Sequence, residues 1–150
     1  MPLNMITQQV LKGQVDLTIN PSIYTMQSTD VANIAAGDLV TVKASTAPAV
    51  PACGVVTSTT NSGFLTGVAT LSPKQTEFKQ SEMLEVALPG SVVYVQFSAA
   101  AIAANVRVSY SAKGVFKAAV TTEQAVGVTI NSVASGGVGR IMIIKPELLP

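Results

Sequence analysis

The chain has 150 residues, 48% of them apolar and only 11% charged, with nine Lys and Arg, eight Asp and Glu, and no His. That length suits one domain with a core of its own, and a net charge of +1 without a basic cluster excludes nucleic acid as a partner. The charged fraction is less than half the usual ~25%, which is poor for a free monomer and fits a surface kept against other subunits.

From the N-terminus, residues 1–14 read as an arm. Ile6, Val10 and Leu11 form one face of a short helix, or the segment orders only on a partner. It lacks the continuous apolar stretch of a signal peptide. No later run reaches the ~20 apolar residues of a membrane span, so a chain made and soluble in the cytoplasm, without a membrane partner, is expected. Val15 to Ile19 alternates with period two, and Leu39 to Lys43 is Val/Thr-rich; both read as strands. Cys53 to Thr57, Phe64 to Leu71 and Met83 to Leu88 follow. Ser91 to Phe97, Val106 to Tyr110, Val115 to Val120, Ala125 to Ile130 and Val138 to Ile144 complete about ten.

Turn chemistry separates these runs at Asn61-Ser62-Gly63, Pro89-Gly90, Ala112-Lys113-Gly114 and Ser135-Gly136-Gly137. Only Ser72-Pro73-Lys74-Gln75 carries a helix-start pattern, giving either one short helix over Pro73 to Gln80 or an extended loop. The expected fold is therefore all-β, a β-sandwich or jelly-roll-like barrel in one domain over 15–145. Residues 146–150 form a C-terminal tail.

The chain repeats itself. Ile34-Ala35-Ala36-Gly37 falls on Ile102-Ala103-Ala104-Asn105, and Val40-Thr41 on Val108-Ser109. Gly and Asn are the residues that most readily take positive φ, so both stretches predict a left-handed turn entering a strand. Further on, Gly54-Val55-Val56 matches Gly127-Val128-Thr129. The duplication implies two similar β-layers packed face to face.

Chemistry is sparse. Without His, the usual general base, the Ser-His-Asp triad and most zinc and haem sites are gone. Glu82 and Glu85 sit three apart, which on a strand sends them to opposite faces. Asp38 follows a turn glycine and reads as a carboxylate bonded to turn amides rather than a catalytic acid. Gly136-Gly137-Val138-Gly139-Arg140 precedes a strand, whereas a phosphate cradle needs a helix N-terminus. Cys53 cannot form an intrachain disulfide and reads as a small buried thiol. No catalytic, metal or cofactor-binding residue is assigned, and no cofactor is expected.

In order, Leu11 to Asp16, Ile34 to Val40, Gly54 to Val56, Gly67 to Ala69, Pro89 to Val95, Ala101 to Val108, Gly127-Val128 and Val138 to Ile144 resemble the small β-rich cement or decoration proteins of tailed-phage heads. The second copy departs at Asn105-Val106, where that pattern has Gly-Asp. The resemblance implies a non-enzymatic virion protein on the capsid exterior. It would bridge neighbouring major capsid proteins as a homo-oligomer, a dimer or trimer. Another virion β-protein, such as a tail or head-fibre component, is the alternative; a bacterial surface glycan-binding module is a third, disfavoured by the absence of Trp. The uncharged arm with Leu3, Met5, Ile6 and Val10, together with Leu148 and Leu149 past the last expected strand, supplies the candidate capsid or subunit interface.

Overall fold

The structure, a computed structural model, describes residues 10–44, 50–57, 59, 63 and 65–149. These form twelve strands and no helix. In order they are β1 (Ile23–Ser28), β2 (Ile34–Ala35), β3 (Leu39–Lys43), β4 (Ala52–Val55), β5 (Thr66–Ala69) and β6 (Glu77–Phe78). The second half adds β7 (Met83–Ala87), β8 (Val92–Phe97), β9 (Arg107–Ala112), β10 (Val115–Ala118), β11 (Gln124–Thr129) and β12 (Val138–Leu148).

Each half closes on itself. Strands β1-β4-β3-β5-β7 form one barrel; β8-β10-β9-β11-β12, read in the same direction, form a second with the same connectivity. In both, the first strand pairs parallel with one neighbour and antiparallel with the other. The duplication is therefore real, but its units are barrels rather than open layers, because that parallel pair joins the two ends of each sheet. The small β2–β6 sheet of the first half has its counterpart in the isolated Ile102–Val133 bridge.

The turns follow the sequence. Gly37 has φ +91° and Asn105 φ +60°. Gly37 N–H donates to Ala69 O (2.8 Å) and Asn105 N–H to Thr129 O (2.8 Å), so the two residues hold equivalent positions. The downstream match needs correcting. Val40 pairs with Gly67 and Val108 with Gly127, so Gly67-Val68, not Gly54-Val55, is the counterpart of Gly127-Val128. Close packing explains the glycines. A Cβ at Gly67 would lie 2.5 Å from Ala87 O, and one at Gly127 2.9 Å from Ile141 Cδ1.

A second duplicated device is invisible in the sequence. Gln27 Nε2 donates to Ser81 O (3.0 Å) and Gln96 Nε2 to Gly136 O (2.7 Å). Gln27 pairs with Met83 and Gln96 with Val138, and the accepting residues, both at positive φ, stand two positions before those partners. Each glutamine pins the turn that enters the last strand of its barrel.

Two expectations fall elsewhere. Val15 to Ile19 is not a strand: only Val15 bridges, to Val93, and Thr18 N–H donates to Asp16 Oδ1 (3.0 Å), a side-chain turn that breaks the alternation. Over Pro73 to Gln80 the chain takes the extended form. Ser72 Oγ does accept from Lys74 N–H (3.2 Å), but the segment then enters β6 instead of a helix.

Met26, Val40, Cys53, Ala69, Leu84 and Val86, with Ile34 and Phe78 from β2 and β6, fill the first barrel. A second cluster joins the halves. It sets Leu39, Val56, Val68 and Ala87 of the first barrel together with Val93, Val95, Phe97, Val108, Phe116, Ile141 and Ile143 of the second. Alternate residues of β3 and β5 thus serve two cores, Val40 and Ala69 inward, Leu39 and Val68 toward the other barrel.

Candidate binding surface

Of the six residues expected at an interface, Leu3, Met5 and Ile6 lie outside the described residues. Val10 is exposed and leads into a strap that ties the barrels together. Within that strap Gly13 N–H donates to Tyr94 O (2.7 Å), Tyr94 N–H to Gln14 O (2.9 Å) and Asp16 N–H to Val92 O (2.8 Å). On its other side Gly13 O accepts from Leu71 N–H (2.9 Å) of the first barrel. At the opposite end of the chain, β12 runs on through Leu148, which pairs with Gln124. Leu149 N–H donates to Glu123 O (3.0 Å). Leu148 is exposed and Leu149 half-buried, so these two leucines sit at the end of a paired strand.

The β9–β10 turn reaches the first barrel through Lys113. Lys113 Nζ stands 3.7 Å from Asp38 Oδ2 and donates to Asn33 O, so this hairpin latches the second barrel to the first. Asp38 is buried and accepts from Ala35 N–H (2.8 Å), as a turn carboxylate should. Burial pushes its pKa up, with the Ala35 hydrogen bond and the Lys113 and Lys12 charges opposing. Asp16 behaves oppositely: hydrogen bonds from Thr18, then from Arg140 at 2.8 Å, hold its carboxyl below the ordinary range. Burial works against the charge of Glu123, but the Lys117 ammonium at 2.6 Å and Val120 N–H outweigh it, and its pKa is lowered. Cys53 is buried, and burial pushes its thiol up to about 12, which makes it inert.

Among the described residues no group of three His, Cys, Asp or Glu could hold a metal ion. An open groove of about 270 Å³, lined in part by Thr25, Phe78, Met83 and Glu85, falls just below the roughly 300–1,000 Å³ of small-molecule sites. Each shifted carboxylate is committed to a structural partner. What the surface offers is apolar and uncharged: Leu17, Val31, Tyr24 and Val120 are all more than half exposed. Sequence reading singled out none of the four. Leu17 and Val120 fell within expected strands, and Val31 and Tyr24 lie where no element was expected.

No protein-family model matches the sequence, and no curated protein matches it. Among solved structures, the chain resembles the N-terminal base of the head fibre protein gp8.5 of bacteriophage phi29, with a TM-score of 0.56 at 13% identity. The likeness covers 85% of this chain and 98% of that one, so both barrels take part and what is shared is the fold.

Proposed function

We propose that this protein is a structural component of a tailed-phage head, carried on the outside of the shell, without catalytic activity. The observation that carries the reading is the likeness of both barrels to the phi29 head-fibre base at nearly full coverage of that base. The absence of His, the sparse charge and the exposed apolar side chains support it. In the finer reading the protein is a decoration protein that spans neighbouring major capsid proteins as a homo-oligomer. Many copies, each contacting more than one subunit, let modest individual affinities add up. A second reading, the base of a head fibre, is favoured by the same likeness, since the phi29 protein is itself such a base.

The test is to delete Met1 to Val10 and measure thermal unfolding together with co-sedimentation with phage shells that lack the protein. Full-length protein should pellet with the shells. A truncated protein that melts unchanged but stays in the supernatant supports the arm as the clamp; full binding by the truncated protein removes the arm from the interface. Failure of the full-length protein to bind contradicts the reading itself.

A further inference from the structure

The two barrels differ at one edge. Leu88 N–H donates to Ser22 O (2.8 Å) and Ser28 N–H to Glu82 O (2.9 Å), so the even-numbered residues of β1 turn their main-chain groups toward β7. The odd-numbered ones face the other way. Gln27 N–H meets Pro51 O on that side (2.9 Å), where the parallel pairing with β4 covers only Gln27 and Ser28. The main-chain groups of Ile23 and Thr25 have no partner among the described residues. Ile23, Tyr24 and Thr25 are all exposed.

Register shows what belongs there. Tyr24 pairs with Val86 as Val93 pairs with Ile141, so Ile23 and Thr25 correspond to Val92 and Tyr94. In the second barrel those residues are bonded by the strap, Asp16 to Val92 and Gln14 and Gly13 to Tyr94, and the Val15–Val93 bridge is antiparallel. The same edge is thus filled by an antiparallel strand of this chain in one barrel and, among the described residues, empty in the other.

The empty edge is also unguarded. Beyond its last pairing with β8, the free side of β12 carries Lys145 and Pro146, residues that discourage strand addition. Ile23-Tyr24-Thr25 has neither charge nor proline. It is self-complementary: antiparallel pairing of Ile23 with Thr25 of a second copy satisfies every open group on both strands about a twofold axis. That register sets the two Tyr24 side chains opposite each other as a non-hydrogen-bonded pair, the closer kind.

We infer that β1 is the contact between two copies of this chain, joined edge to edge through Ile23, Tyr24 and Thr25. This rests on the homo-oligomer in the proposed function and gives it a surface. Tyr24→Cys should form a disulfide-linked dimer under mild oxidation, since directly opposed strand positions bring Cβ atoms within reach. Leu17→Cys, at a more exposed site, should not, and buried Cys53 stays unreactive. In sedimentation velocity, Tyr24→Lys, which opposes like charges at the axis, should weaken self-association at least ~10-fold, and Thr25→Pro should do the same by removing a donor. Cross-linking no better than the Leu17→Cys control, or self-association untouched by Tyr24→Lys, overturns the inference. So does a monomeric wild type whose shell binding is lost in Thr25→Pro, because the edge then receives a strand of the shell. Loss of self-association with shell binding retained supports the edge, and dimerisation without any shell binding contradicts only the proposed function.

Discussion

Gly37 and Gly67 mark the two ways a single residue constrains this fold. Gly37 holds φ +91°, and a Cβ there would lie 3.1 Å from Lys12 Cβ; Gly37→Val should therefore cost at least ~1 kcal/mol. Asn105 already tolerates the same conformation, so Asn105→Gly should be close to neutral. Gly67 lacks a positive φ, but its missing Cβ leaves room for Ala87 O, and Gly67→Ala should destabilise through displaced backbone. Denaturant midpoints of the three variants check this, and a silent Gly37→Val contradicts the duplicated turn. Asp38 gives a pH signature. Its folded pKa is raised above 3.8, so the folded state holds a proton that the unfolded state has released. Stability then falls as pH rises through that window. Asp38→Asn removes this dependence, so its stability relative to wild type should improve as pH rises from about 4 towards neutrality, read from melting temperatures across that range.

At the scale of elements, nine of the ten expected strands are present, because alternation and glycine turns act locally and survive into the fold. β1 escaped notice for a physical reason. Only its last residues face the first barrel's core, so Ile23-Tyr24-Thr25 carries no buried period-two pattern. The same exposure makes it the open edge. Glutamine pinning was illegible because Gln27 and Gln96 align only through register, and the spacing between counterparts shrinks along the chain. The strap offers a controlled comparison. Gly13 and Gly90 both hold positive φ, but a Cβ at Gly13 meets Ala36 Cβ at 2.9 Å while one at Gly90 meets nothing within 4 Å. Gly13→Val should therefore destabilise well beyond the ~1–2 kcal/mol of backbone strain expected for Gly90→Val. Equal losses in urea unfolding would show that the strap does not seat tightly between the barrels.

For the whole molecule, the shared core makes the barrels one unit. Leu39, Val56 and Val68 are fully buried in that cluster, each contributing roughly 1.5–3 kcal/mol by burial, and the strap and the Lys113 latch cross the same junction. Calorimetry should therefore give one cooperative transition with matching calorimetric and van't Hoff enthalpies; two resolved transitions would mean that the barrels fold separately. The fold class and the duplication could be read from sequence because both reside in local patterns. The barrel closure and the open edge could not, since they depend on which distant strands meet. The proposed function puts this protein on the outer surface of the head. The most direct test is a low-resolution map of phage particles with and without this protein. Difference density is expected on the outside of the head, repeated with the shell lattice; density confined to the tail, or absent from the particle, would contradict a role on the head.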